Sequence, residues 1–176
     1  MTAMMTSASA SALTNVLSEN WTLWSHLPHP YETDWSINGY KTISDLVTVE
    51  ETVGLCKSIP PSLIQTSMLY LTKKHVKPLW EDTNNRHGGC FSYQIPNTVV
   101  AELWSRLSYA LVGNTLSSNK ACMATINGIS VSPKKKFCII KIWLSGCEFQ
   151  DPTIITNAIP GLVPQGCLFK KHTPEY

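Results

Sequence analysis

Trp80-Glu81-Asp82 sets a carboxylate directly after an indole, and the two groups together suit one kind of guest, a flat ring carrying positive charge. An indole face attracts a cation through the ring quadrupole, and the adjacent carboxylate can accept two parallel N–H bonds from a guanine-type edge. One ring makes half of a sandwich. A second tryptophan, Trp35, lies in the turn-rich stretch from Pro28 to Gly39, where a ring can project from a loop. The residues raise the expectation that Trp35 and Trp80 close on one base while Glu81 reads its edge, with buried rings and an ordinary surface acid as the alternative.

Other chemistries are poorly served. Cys90 lies near His87, as a cysteine hydrolase would need, yet nothing supplies a nucleophile elbow or an orienting acid. The six cysteines are scattered without the close pairs of a zinc site or a small disulfide scaffold, so they read as reduced thiols, with no metal or redox cofactor implied. Lys and Arg total 14 against 12 acids, which excludes broad, sequence-independent wrapping of a duplex. Arginine occurs only at Arg86 and Arg106, so any phosphate contact must rest mainly on lysine, a point charge without a bidentate fork. A generic module that stacks single-stranded RNA on exposed aromatics is the alternative reading. Affinity for a methylated against an unmethylated base separates the two.

The elements that must position these groups follow from periodicity. The Ser/Ala/Thr-rich residues 1 to 17 read as a flexible tail without a secretory signal, and 18 to 176 as one α+β domain whose folded part starts near Asn20. No run approaches the roughly 18 apolar residues of a membrane span. A cytoplasmic protein is expected, and the short cluster Lys134-Lys135-Lys136 leaves a nuclear presence open.

Trp21 to Trp24 alternates as a strand, and Tyr40 to Ile43 marks a short extended piece. Thr48 followed by Glu51 fits a capping box for a helix ending near Cys56 or Lys57, before Pro60-Pro61. Strands are predicted over Ser67 to Thr72 and Cys90 to Ile95, the second entered through a Gly88-Gly89 turn. A helix runs from Thr98 to Val112, with apolar residues three and four apart. Ala121 to Ile126 and Phe137 to Leu144 read as a hairpin with a long loop containing Gly128, Pro133 and the lysine triplet. On its second strand Ile139, Lys141 and Trp143 share a face, and Lys141 is costly there unless its head reaches water or an anion. A weak helix after Asp151-Pro152 and a strand at Cys167 to Phe169 complete the reading. Trp21, Trp24 and Trp104, on periodic segments, are expected in the core.

In this order, Trp21 to Trp24, Trp35, Thr48 to Glu51, Pro78 to Gly89, Leu103-Trp104 and Ile142-Trp143 resemble the messenger-RNA 5′-cap-binding family called initiation factor four-E, specifically a divergent paralogue of protist type. The resemblance spans most of residues 20 to 172. It implies a strongly curved antiparallel sheet with helices on its convex back and the cap in the concave side. It implies no catalysis and no cofactor. It also implies that Trp35 and Trp80 sandwich 7-methylguanine, that Glu81 takes its N1–H and exocyclic amine, and that Trp143 touches the methyl group or packs beneath the base.

For phosphate, Lys134 falls where the family has an arginine, Lys136 lies beside it, and Ile139 stands where a lysine is usual. Lys141, two residues on, offers a shifted charge, and Cys90 replaces a common arginine. His172 matches a terminal-loop histidine near the second nucleotide. Capped mRNA, including caps with additional methyl groups, is the implied partner, in translation initiation or its regulation. A scaffold or repressor peptide is the second partner, on the convex helices at Val49, Val53, Ser105 and Tyr109. There the family's gripping tryptophan is replaced by Val53, so peptide binding is expected to be weakened or rewired.

Overall fold

The computed structural model describes residues 14–27 and 33–175. Seven strands form one antiparallel sheet: β1 (Val16–His26), β2 (Tyr40–Thr48), β3 (Met68–Lys73), β4 (Gly89–Pro96), β5 (Ile126–Pro133), β6 (Phe137–Leu144) and β7 (Leu168–Lys171). Their order across the sheet is β2-β1-β3-β5-β6-β4-β7. Among the described residues four helices accompany it, α1 (Val49–Ser58), α2 (Pro61–Thr66), α3 (Val100–Val112) and α4 (Lys120–Thr125). The architecture is the predicted α+β one, a curved antiparallel sheet with helices on its convex face.

Alternation along the strands divides the chain between two faces. Leu69 and Leu71, Ile129 and Val131, Ile140 and Ile142, and Phe91 and Tyr93 turn toward α3, whose Leu103, Trp104, Leu107 and Leu111 complete the core. Met68, Tyr70, Ser132, Lys141 and Trp143 fall on the opposite, concave face. On the edge strand β2 a register shift opposite Leu23/Trp24 leaves Ile43 as an extra residue. Such a bulge reverses the facing of everything beyond it, so Leu46 enters the core while Tyr40 reaches the concave side.

Local signals in the sequence hold where both partners are close in the chain. The capping box is complete, with Thr48 accepting from the Glu51 amide and Glu51 accepting from the Thr48 amide. The predicted Asp151 cap also forms, accepting from the Thr153 amide at 2.9 Å ahead of a 3-10 turn.

Several expectations are corrected. β1 begins at Val16, not near Asn20, because Leu17 is buried and Asn15 binds the Glu50 carboxylate; residues 1–13 of the expected tail lie outside the described residues. β2 extends to Thr48. Pro61, read only as a breaker, opens α2, since proline suits the first turn, where its missing N–H is not needed. Trp24 is not a core residue; it lies on the concave face, half-buried, donating to Thr72 Oγ1 at 3.0 Å.

The Ala121 to Ile126 strand is instead the short helix α4, capped by Asn119, which accepts from the Cys122 amide. β5 follows it and contains Gly128, where a side chain would meet the Leu71 carbonyl of β3. The long loop shrinks to a tight turn, Lys134 to Lys136, closed by Lys134 N–H to the Phe137 carbonyl at 2.8 Å. The turn ahead of β4 ends at His87, and Gly89 is already paired with both Leu144 and Lys171.

Candidate functional site

Trp35, Tyr40, Met68, Tyr70, Pro78, Leu79, Trp80, Glu81, Ser132, Lys134, Lys141, Trp143 and Glu175 line a concave cleft of about 380 Å³. Two separate loops thus deliver the predicted pair of indoles and the predicted acid to one cavity. The floor comes from alternate residues of β3, β5 and β6. Trp143 is 6% exposed and donates its indole N–H to Ser130 Oγ at 2.9 Å, which fixes the ring beneath the cleft.

Each wall tryptophan rests on a histidine: His26, which the sequence reading missed, and His172, to which it gave another place. His26 stacks on Trp35 with centroids 4.6 Å apart and planes within 9°. Its Nε2 lies 2.8 Å from the Asp34 carbonyl, so the same ring that braces the indole also ties down its loop. Trp35 remains 51% exposed, leaving indole surface open to a guest. The clue is parity, since His26 shares a strand face with Trp24 and its β-ladder partners are Tyr40 and Met68.

At the other wall His172 stacks on Trp80 at 5.5 Å and 18°. The histidine expected beside a second nucleotide is therefore placed differently: it is 2% exposed, tucked between Trp80 and Trp143, and does not line the cleft. A ring that packs the wall cannot also reach outward.

Asn85 organises this wall without touching the cavity. Fully buried, it donates to the Lys77 and Leu79 carbonyls at 3.0 and 2.9 Å, accepts from Asn127 Nδ2 at 2.9 Å, and presents its own carbonyl to His172 Nδ1 at 2.7 Å. The Trp80-Glu81 segment is thus held by side-chain-to-backbone bonds, which satisfy carbonyls that no ladder reaches. Only the low frequency of buried asparagine hints at this role, and sequence carries no sign of it.

Burial holds the His172 imidazole below its ordinary value of 6.5, against the raising effects of the Asn85 carbonyl and Glu81, while Lys141 adds to the lowering. Such a group adds stability that is fully present above about pH 6.5 and is lost as pH falls through its lowered folded value. Unfolding free energy measured between pH 7 and pH 5 should fall more steeply for the native chain than for His172→Phe, which keeps an aromatic ring but cannot titrate. Equal slopes would show that His172 takes up its proton as easily folded as unfolded.

The lysines divide. Lys134 and Lys141 line the cleft, whereas Lys136, expected as a phosphate ligand, is exposed in the turn and does not. Lys170 was not foreseen. The β4–β7 register sets it beside Cys90, and its ammonium stands 5.9 Å from the Trp80 centroid, with that of Lys141 at 5.7 Å. Burial pushes the Cys90 thiol up despite these two cations, leaving a protonated, inaccessible sulfur and no case for a cysteine nucleophile. Among the described residues no group of three or more His, Cys, Asp or Glu is arranged to hold a metal ion, and no helix is long and apolar enough to cross a membrane.

On the opposite face α1 packs against α3. Val49 is 42% and Tyr109 38% exposed, while Val53 and Ser105 are half-buried, Ser105 Oγ donating to the Ala101 carbonyl. The four residues predicted for a partner peptide are accordingly on neighbouring helices.

A curved antiparallel sheet backed by helices, with two loop-borne indoles and an acid over its concave face, defines an α+β domain with an aromatic-walled cleft. The family model described as eukaryotic initiation factor 4E matches residues 16–160. The chain belongs to that family. It is 30% identical over 142 residues to eukaryotic translation initiation factor 4E of Candida albicans, covering 75% of this chain and 65% of that protein. With eukaryotic translation initiation factor 4E-2 of Schizosaccharomyces pombe it shares 31% identity, covering 78% and 57%. The chain thus spans 57% to 65% of the length of these relatives.

Among solved structures it is similar to C. elegans eIF4E-3 in complex with the 4E-binding protein Mextli and a cap analog, with a TM-score of 0.67 and 26% identity, covering 77% of this chain and 76% of that one. Ascaris suum eIF4E-3 with an m7G cap, at TM-score 0.72 and 23% identity over 92% of this chain and 93% of that one, is alike in fold.

Proposed function

We propose that this protein binds the 7-methylguanosine cap of messenger RNA and acts, without catalysing a reaction, in translation initiation or its regulation in the cytoplasm. The observation that carries this reading is the convergence of Trp35, Trp80 and Glu81, from two loops, on one cleft floored by Trp143. Methylation at N7 makes the purine cationic, so each indole gains about 0.5–2 kcal/mol of cation–π attraction that an unmethylated base forgoes. Glu81 accepts from N1–H and the exocyclic amine, Trp143 underlies the base near its methyl group, and Lys134 and Lys141 meet the phosphates. C. elegans eIF4E-3, solved with a cap analog, and the Ascaris suum protein, solved with m7G and with m2,2,7G caps, support the assignment.

The helices α1 and α3 are the proposed seat of a partner peptide, supported by the complex of C. elegans eIF4E-3 with Mextli. Val53 offers less surface than a tryptophan, and the half-buried Ser105 adds little apolar area, so contact falls chiefly to Val49 and Tyr109.

Titration with 7-methyl-GTP and GTP tests the cap assignment. The methylated nucleotide should bind at least tenfold more tightly. A generic RNA-stacking module would treat the two alike, and that result would overturn the proposal.

A further inference from the structure

Tyr40 and Tyr70 line the cleft, yet neither the indole pair nor the edge-reading acid accounts for them. Tyr40 belongs to the edge strand β2 and Tyr70 to β3, with β1 running between the two. Their rings nevertheless meet edge to face, with centroids 5.3 Å apart and planes at 68°. Tyr40 also packs on His26 at 4.5 Å, and His26 is the ring stacked on Trp35. On its other side Tyr70 meets Trp143 edge-on at 6.1 Å. Trp143 in turn meets His172 at 5.0 Å, and His172 is the ring stacked on Trp80. An unbroken arc of ring contacts, each within the roughly 4.5–7 Å range of an aromatic pair, thus joins one wall indole to the other beneath the cleft.

The middle of the arc is locked by its hydroxyls. Tyr70 Oη donates to Met68 Sδ at 3.8 Å, which leaves its lone pairs free for the hydroxyl of Tyr40, to which it is hydrogen-bonded. Burial pushes both phenols up, so each stays a protonated donor at neutral pH. The Trp35 end depends on this lock. His26 Nε2 lies 2.8 Å from the Asp34 carbonyl, while Nδ1, also buried, has no hydrogen-bond partner among the described residues. One hydrogen bond anchors the imidazole at a single atom, and the plane of the ring has to be set by packing, with Tyr40 tilted against it at 48°.

Resting on the cap-binding reading, we infer that Tyr40 and Tyr70 are positioning residues for the base sandwich: they close the arc across the sheet, set the plane of Trp35 through His26, and hold the indoles at a fixed separation before the base arrives. A slot whose width is set in advance loses none of its stacking energy to ordering its own walls. Cation–π attraction weakens as ring and cation move apart, so a slack Trp35 penalises the methylated, cationic base more than the neutral one.

The test uses Tyr40, because among the described residues its ring contacts are with His26 and Tyr70 and not with an indole. Tyr40→Leu keeps apolar bulk and breaks the arc; Tyr40→Phe keeps the ring and drops the hydroxyl. The leucine variant should bind 7-methyl-GTP at least fivefold more weakly, and its preference for 7-methyl-GTP over GTP should shrink at least threefold. The phenylalanine variant should fall between it and the native chain on both counts. Unchanged affinity, or the same loss for both nucleotides, would show that Tyr40 only fills the floor and would overturn the inference. Failure of the cap reading looks different, with the native chain itself binding the two nucleotides equally.

A second measurement needs no ligand. In the NMR spectrum of the free, isotope-labelled protein, Tyr40→Leu should shift the indole N–H signals of both Trp35 and Trp143, each one ring removed from it along the arc. Tyr70→Phe, which keeps its buried ring and loses only the hydroxyl, should shift the Trp35 signal although the rings of Tyr40 and His26 intervene. A Trp35 signal that stays at its native position in both variants would overturn the inference.

Discussion

Glu81→Ala should weaken binding of 7-methyl-GTP by at least tenfold while the protein stays folded. The carboxylate lines the cleft beside Trp80 and is partly exposed, so its removal disturbs no core packing. On the proposed reading, what is lost is a pair of hydrogen bonds to a charged acceptor, each worth about 1.5–3 kcal/mol, and the purine N–H groups left behind face a cavity rather than bulk water. A second ligand isolates the interaction. Native protein should distinguish 7-methyl-GTP from 7-methyl-ITP, which lacks the exocyclic amine, and the alanine variant should not, since the group that senses the amine is gone. Isothermal titration of both ligands against both proteins gives the coupling directly. Undiminished affinity in the variant would remove Glu81 from the site.

Trp104→Ala should have the opposite profile, with a loss of about 3–5 kcal/mol in unfolding free energy and unchanged cap affinity in the fraction that remains folded. Trp104 is 1% exposed on α3 and packs in the core on the convex side of the sheet. No rearrangement of neighbouring aliphatic side chains fills an indole-sized void. A domain of this size is stable by only about 5–15 kcal/mol, so the variant should show a markedly lower urea midpoint and poor yield. A loss below about 1 kcal/mol in urea titrations would mean that the core closes over the gap. Glu81 and Trp104 thus carry separate duties, and the pair of variants reads them independently.

How far these features are visible in the sequence depends on the distance over which each is specified. The capping box at Thr48 and Glu51, the periodic helix ending at Val112 and the N-cap at Asp151 are decided within four residues, and all three can be read directly. Trp35, Trp80 and Glu81 stand out because they sit among turn residues instead of on an apolar stripe. Strand β5 is harder. Gly128 and Pro133 look like breakers, but the glycine sits where β3 comes too close for a side chain and the proline closes the strand at its last residue.

His26, Asn85 and Lys170 reach the site only through pairings with residues far along the chain: His26 with Met68, Asn85 with Asn127, and Lys170 with Cys90. Local pattern carries none of that. The separation of Trp21 from Trp24 is a different case, since residues three apart on a strand must face opposite ways, and the alternation itself places one in the core and the other on the concave side.

The split of each strand between a helix-facing and a cleft-facing set of side chains means that two messages are written in one stretch of chain, on alternating letters. Exchanging Tyr70, Ser132 or Lys141 alters the lining of the cleft, while Leu69, Leu71, Val131 and Ile142 continue to hold the sheet against its helices. A lineage can therefore drift toward a new guest without renegotiating its architecture. A single-residue slip in pairing would instead scramble both messages together, which makes the ladder's register the one feature that such drift must leave alone.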